Sequence, residues 1–380
     1  MRFIFRKAQN PMKALRVALK RKLGWLGVPI IVPYTAYGNN EKILITGAVI
    51  EDKGLAEPEK GQKLWKNILT MVKRYAGDEI SGVRVRIDYL GHEETVRTND
   101  MGLFHTVLPA GVPASPDDSW KPVRYTLLDG LEEDEEPVVA ESEVQIASPD
   151  CDYMVVSDID DTILISHSTK VLKKLRLMLF KNALTRSPFE GVAAFYRALH
   201  EGGTNGKRSI FYVSSSEWNL YDLLVDFMEF KGIPRGTLLL SDAKLKIFRL
   251  FRSGRQHQHK YVQIRNLFEL YYDQEFILIG DSGQRDPEIY LKIAEMFPSR
   301  VKAIYIRRIG NKRKDRRLEK YISDAWELGI EMVPVLTTTE AAQHAVSRHF
   351  IRADQVKEIE IEKVREEQES SSPFSGDQAE

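Results

Sequence analysis

Residues 153–166 read YMVVSDIDDTILIS, an apolar run that ends abruptly in Asp158, Asp160 and Asp161. A run of this kind, apolar on successive positions rather than alternate ones, is the pattern of a strand buried on both faces of a parallel sheet. Three carboxylates spread over four positions at its end repel one another, and desolvating them costs free energy unless a cation or a chemical task stabilises them. Outward from this stretch the rhythm is the same. Apolar segments such as SIFYVSSS, GTLLLSD, EFILIGDS and VKAIYIRR alternate with helical ones such as FEGVAAFYRALHEG, WNLYDLLVDFMEFKG and DPEIYLKIAEMFP. That alternation predicts a Rossmann-like α/β domain, a parallel sheet with helices on both faces. Ligands in such sheets bind outside the carboxyl ends of the strands. Three strands end there in polar clusters: VVSDIDDT, FYVSSSE and LIGDSGQRD.

Asp158 and Asp160, two positions apart, can point to the same side as the chain leaves its strand. Two carboxylates over one pocket can divide labour, one attacking an electrophile while the other moves a proton to the leaving group and then from water. GDSGQRD adds Asp281 and Asp286. The resulting all-oxygen set of Asp158, Asp160, Asp281 and Asp286 suits Mg2+, which keeps several waters and is held by few carboxylates. A phosphoryl group fits the remaining parts, since its oxygens need hydroxyls, N–H groups and a cation around them. Ser214 supplies a hydroxyl. Lys260, ahead of the helical run YVQIRNLFELYY, supplies a cation in preference to Lys244 or Lys246.

DIDDT, a Ser after an apolar strand, a Lys at a helix start and GDSGQRD, in this order, resemble the four motifs of the haloacid dehalogenase superfamily. More narrowly, SDIDDTI, SPFEGV, FYVSSSEWNLYD, HK and LIGDSGQRDPEIY resemble the phosphatidate phosphatase catalytic domain found in the yeast actin-patch phosphatase and its bacterial relatives. The resemblance covers roughly residues 150 to 310. It implies a sheet of the haloacid dehalogenase type with a minimal cap, and an Mg2+-dependent phosphoric monoester hydrolase acting on phosphatidate. It further implies that Asp158 is the phosphorylated nucleophile and Asp160 the general acid/base with its backbone carbonyl on Mg2+. Ser214 and Lys260 then bind the phosphate, Asp281 the metal, and Asp286 orients it. SSSE before Trp218 and the long stretch between Ser241 and Lys260 depart from the family pattern.

The rest of the chain sets the organisation. Of 380 residues, 55 are basic and 55 acidic, which gives no net charge and the composition of a globular protein. No apolar run approaches the length of a membrane span, and the lone Cys151 can form no internal disulfide. A cytoplasmic location is expected, with peripheral contact at a membrane through the N-terminus. Residues 1–27 form a basic amphipathic segment, and Met12, Leu15, Leu19, Leu23 and Leu26 share one helical face. Such a segment can lie in a lipid interface or pack on protein. Short alternating runs over 28–150, among them KILITGAVI and GVRVRIDYLG, predict a small β-sandwich with one helix at GQKLWKNILTMVKRYAGDE. Residues 151–352 form the phosphatase domain, and 353–380 read as an acidic disordered tail.

Other features admit a plain reading. His257 and His259 in RQHQHK belong to a solvated loop unless they hold zinc; His167 is a loop histidine or touches substrate; Cys151 is a small buried residue. RRIGNKRKDRR, residues 307–317, is a solvated surface or a patch for an anionic substrate or membrane. The expected partner is a phosphorylated substrate, an anionic lipid; nucleic acid is not expected, and the oligomeric state is open. Competing readings are a phosphatase of a soluble or polynucleotide phosphate, and a non-catalytic binding module.

Overall fold

A computed structural model describes residues 28–51, 79–111, 119–129, 137–148, 150–159, 190–203, 207–218, 221–241 and 256–371. The N-terminal segment, the helix expected near 61–79, the cap region after the DIDDT motif, Asp160, His167, Lys244 and Lys246 lie outside them. By packing, the chain forms two units: residues 1–149 with 218–224, and 150–217 with 225–380.

Apart from residues 218–224, the described part of the first unit is built of strands and their connections. It comprises β1 (Pro29–Gly38), β2 (Lys42–Glu51), β3 (Arg84–Tyr89), β4 (His92–Arg97), β5 (Leu103–Pro109), β6 (Trp120–Leu127) and β7 (Val139–Ile146). These form one seven-stranded sheet in the order β4-β3-β6-β7-β1-β2-β5. The expected sandwich of two sheets is therefore a single mixed, barrel-like sheet. The parallel pair of β1 with β7, Tyr37 opposite Gln145 and Gly38 opposite Ile146, joins what would otherwise be two halves. Its larger core takes Ile43 and Ile45 from β2, Val85 and Ile87 from β3, Phe104 from β5, Tyr125 from β6 and Val144 from β7, and a smaller cluster gathers Val32, Tyr34, Ala48 and Ile50. The run PIIVPYTAYG carries two prolines that mask its strand character. Pro33 is tolerated because the pairing of β1 with β2 shifts register between Pro33 and Ala36, where no ladder bond is required of it.

The second unit is α/β. Its strands are β8 (Met154–Asp158), β9 (Ile210–Glu217), β10 (Thr237–Ser241), β11 (Phe276–Asp281), β12 (Val301–Arg307) and β13 (Met332–Val335). The helices are α1 (Val192–Glu201), α2 (Tyr221–Phe230), which belongs to the second unit from Val225 on, α3 (Gln256–Leu270), α4 (Asp286–Met296), α5 (Lys312–Glu327), α6 (Thr338–Ser347) and α7 (Ala353–Ser371). The sheet runs β10-β9-β8-β11-β12-β13, every pair parallel. Counted within the unit this is 3-2-1-4-5-6, the doubly wound order whose switch point lies between the first and fourth strands. Helices α3, α4 and α5 pack in one layer, and α1, α6 and α7 in another. Met154, Val155 and Val156 are wholly buried, as the continuous apolar run requires of a central strand.

Residues 353–371 correct the expectation of a disordered tail. Their acidic composition hides two long-range tasks. Ile359 is fully buried, and two glutamates of α7 cap α1. Helix α1 starts at Gly191, whose left-handed φ of 75° offers no side-chain cap, and no acidic residue stands in its first turn. Instead Gly191 N–H donates to Glu366 Oε2 at 2.8 Å and Ala194 N–H to Glu362 Oε1 at 3.0 Å. Orphan N–H groups and the positive end of the helix dipole are thus satisfied from another element. Among the described residues no helix is long and apolar enough to cross a membrane.

Candidate active site

Register places the site. In β8, Asp158 lies opposite Val213 of β9, so Ser214 follows immediately at the same edge, 1% exposed. On the other side Ser157 lies opposite Ile279 of β11, and β11 runs on to Asp281. Asp158 and Asp281 therefore leave adjacent strands at the switch point, where doubly wound sheets form their ligand crevice.

The loop after β11 folds on its own carboxylate. Asp281 Oδ1 accepts N–H groups from Gly283 and, at 2.9 Å, from Gln284, an Asx-type turn. A Cβ at Gly283 would stand 2.7 Å from that oxygen, so the tight return requires glycine. Helix α4 then begins, with Asp286 and Glu288 in its first turn and Pro287 at its start, the residue types that suit a helix N-terminus. Asp286 is fully buried. Its Oδ2 accepts the N–H of Asp281 at 3.0 Å, and a Cβ at Gly280 would stand 2.5 Å from that same oxygen. Glycine at 280 thus permits the approach that fixes Asp281.

Lys260 joins these parts. Its ammonium lies 2.8 Å from Asp158 Oδ1 and 2.7 Å from Asp286 Oδ1, with all three side chains at most 3% exposed. Gln284 Oε1 accepts from it at 3.3 Å. Lys260 sits inside α3, which begins at Gln256, and not ahead of the helix as the sequence suggested. The free N–H groups of a helix start are accordingly no part of its role; its contribution is a buried point charge.

Oxygens of Asp158, Asp281 and Asp286 lie within 4.8 Å of one another. Three carboxylates around one ammonium form a hard, all-oxygen set, and the acidic excess fits a divalent cation such as Mg2+ better than a softer metal. Asp286 uses both oxygens on Lys260 and the Asp281 backbone, which leaves it a positioning role beside Asp158 and Asp281. His257 and His259 fall in α3, with the His257 side chain outside the described residues.

Behind the site lie groups that the sequence did not announce. Ser157 Oγ is 2.7 Å from the hydroxyl of Tyr196 on α1. Burial, supported by the nearby charge of Asp158 and opposed by the bond to Ser157, pushes that phenol up to about 12. Tyr290 of α4 donates to Ile279 O at 2.7 Å, and burial followed by the charges of Asp286 and Asp158 holds its hydroxyl well above the ordinary range. Both phenols stay protonated, and their bonds brace β8 and β11. Gln284 could have been found within GDSGQRD; Tyr196 carries no local signal. Burial pushes the thiol of the half-buried Cys151 up to about 11, which disfavours the thiolate.

Comparison with known proteins agrees with this geometry. The family model described as phosphatidate phosphatase APP1, catalytic domain, matches residues 153–308, the stretch that holds β8 to β12. An uncharacterized protein of Schizosaccharomyces pombe is 27% identical over 265 residues, 68% of this chain and 40% of that protein. The phosphatidate phosphatase APP1 of Saccharomyces cerevisiae is 30% identical over 161 residues, 42% of this chain and 27% of the yeast protein. The chain thus spans less than half the length of either relative. Among solved structures, a carbohydrate acetylesterase from Xanthomonas citri has a TM-score of 0.26 at 10% identity, covering 79% of this chain and 75% of that one, a likeness too low to carry an argument. The similarity to the phosphatidate phosphatase APP1 catalytic domain family thus lies in residues 153–308, the stretch that carries Asp158, Ser214, Lys260, Asp281 and Asp286.

Proposed function

We propose that the chain is a phosphoric monoester hydrolase of the haloacid dehalogenase type, converting phosphatidate to diacylglycerol and inorganic phosphate with Mg2+. The observation that carries this reading is the buried group in which Lys260 ties Asp158 to Asp286 beside Asp281, inside the stretch that matches the family. Asp158 attacks phosphorus through a carboxylate oxygen as the bond to the glycerol oxygen breaks, giving an aspartyl-phosphate. Asp160, a role carried over from the family resemblance, gives its proton to the departing alkoxide. It then takes a proton from water, whose oxygen attacks the same phosphorus; the bond to Asp158 breaks and phosphate leaves. Lys260 and Ser214 hold the phosphoryl oxygens, and the Lys260 ammonium also lies 2.8 Å from Asp158 Oδ1. Bound Mg2+ would supply positive charge between Asp158 and the substrate phosphate, which otherwise repel at bonding distance; Asp158, Asp160 and Asp281 would hold it and Asp286 would orient it.

The test is release of inorganic phosphate from phosphatidate in mixed micelles, with Mg2+ and with chelator, for the wild type and Asp158→Asn. The amide fills the same volume but cannot attack, so turnover should vanish while the far-ultraviolet circular dichroism is unchanged. Wild-type turnover by Asp158→Asn would overturn the mechanism. Phosphate release from oligonucleotide ends with none from phosphatidate would overturn the substrate.

A further inference from the structure

The run RRIGNKRKDRR is not absorbed by the chemistry, and the fold puts it at the same carboxyl edge as the site. Arg307 and Val335 pair at the ends of β12 and β13, and Arg308 N–H donates to Val335 O at 2.9 Å. The residues that follow them, Ile309 and Leu336, are therefore neighbours on one rim. Both are exposed apolar side chains, at 38% and 63%. From Asn311 the chain enters α5, and Lys312, Arg313, Lys314, Arg316 and Arg317 crowd its first two turns, all exposed. Lysines and arginines belong electrostatically at the opposite end of a helix, where its dipole is negative. Lys312 and Arg316, like Arg313 and Arg317, are also like-charged neighbours one turn apart, which weakens a helix. The N–H groups of this helix start do not compensate by holding an anion themselves, because Asn311 Oδ1 caps those of Arg313 and Lys314. Lys314 Nζ bonds Gly283 O, tying the basic turn to the loop that shapes Asp281.

Cations placed against the dipole, around apolar side chains left in water, match a surface that is anionic outside and apolar just beneath. We infer that this rim, Ile309 and Leu336 with Lys312, Arg313, Arg316 and Arg317, is the face on which the α/β unit seats on an anionic lipid bilayer. The inference rests on the phosphatidate reading and deepens it, since the seat would hold the crevice of Asp158 and Asp281 against the membrane. A polynucleotide would satisfy the cations but would leave Ile309 and Leu336 without a partner, so lipid is the occupant the rim favours.

The experiment is sedimentation of the full chain with vesicles of phosphatidylcholine alone or with about a third phosphatidylserine, which is not a substrate. Each cation near such a surface changes partitioning about fivefold. Replacing Lys312, Arg313, Arg316 and Arg317 together by glutamine should therefore lower binding to anionic vesicles at least ~tenfold. Raising the salt should lower wild-type binding. Ile309→Ser with Leu336→Ser should lower it severalfold at unchanged charge. Hydrolysis of soluble p-nitrophenyl phosphate should be the same for the four-glutamine variant and the wild type, because those four side chains stand on α5, whereas Ile309 lies against the Ser282–Gly283 loop and its variant is read by vesicle binding alone. Equal vesicle binding by the four-glutamine variant and the wild type would overturn the seat, as would wild-type binding to single-stranded oligonucleotide with none to vesicles. Asp158→Asn should bind as the wild type does. Anionic-vesicle binding that depends on the rim, without phosphatidate hydrolysis, would uphold the seat and overturn the substrate reading alone.

Discussion

Replacing Lys260 by methionine keeps most of its volume and deletes the charge between two buried carboxylates, so it isolates what the ammonium does. Asp158 and Asp286 would then face each other's charge with neither water nor a cation between them. Removing one partner of a buried ion pair costs about 3–5 kcal/mol, and the midpoint of urea unfolding in chelator should fall accordingly. Adding Mg2+ should restore part of the loss, since a divalent cation can supply the missing charge. A variant as stable as the wild type in chelator would mean that the carboxylates do not depend on Lys260. Asp158 and Asp281 were legible in the sequence because charge at the end of a buried run conflicts with folding and so demands a reason. The contact of Lys260 with both Asp158 and Asp286 was not, because it reaches from α3 across 26 positions to Asp286 and back about a hundred to Asp158 at the end of β8.

At the scale of elements, α1 and α7 are coupled in a way that reaches the site. Helix α1 carries Tyr196, whose hydroxyl meets Ser157 next to Asp158, yet its own sequence provides no N-cap. Glu362 and Glu366 of α7 do that work, and Glu362 also pairs with Arg197. Each lost cap costs on the order of 1 kcal/mol. The pair Glu362→Ala and Glu366→Ala should therefore lower unfolding stability by roughly 2 kcal/mol, measured by urea denaturation, with the Asp158 group intact. No loss of stability would show that solvent serves the α1 N-terminus equally well. Local pattern foresees this poorly: KEIEIEKVREEQE reads as a solvated, charged tail because the N–H groups its acids serve are about 170 positions away. The strand rhythm of the same unit was legible for the opposite reason, since period and composition are local. For β1, with Pro33 inside it, the local signal misleads until the bulge is seen.

For the whole molecule, the strand order decides where a ligand is felt. Strands β8 and β11 are neighbours at the centre of a doubly wound sheet, so a cation between Asp158 and Asp281 would bridge two strands that meet only through folding. The unfolded chain holds no such group, so binding is linked to stability: a ligand at a hundredfold excess over its Kd adds about 2.7 kcal/mol to the state that binds it. The increment should appear where the site is built. Under conditions in which exchange follows opening of the α/β sheet, Mg2+ should slow amide hydrogen exchange in peptides covering β8, β11 and the turn at Gly283 and Gln284, whose N–H groups bond Asp281. Peptides from β2, β5 and β6, which feed the separate core of the first unit, should exchange at the same rate with and without it. Asp281→Ala should remove the effect while leaving the baseline protection of β8, because β8 pairs with β11 over Phe276–Ile279, ahead of the substituted position. Exchange unchanged by Mg2+ in the wild type would count against a cation at the switch point, and an undiminished effect in Asp281→Ala would move the cation elsewhere. Because exchange is read without substrate, the answer stands whichever phosphate the enzyme takes.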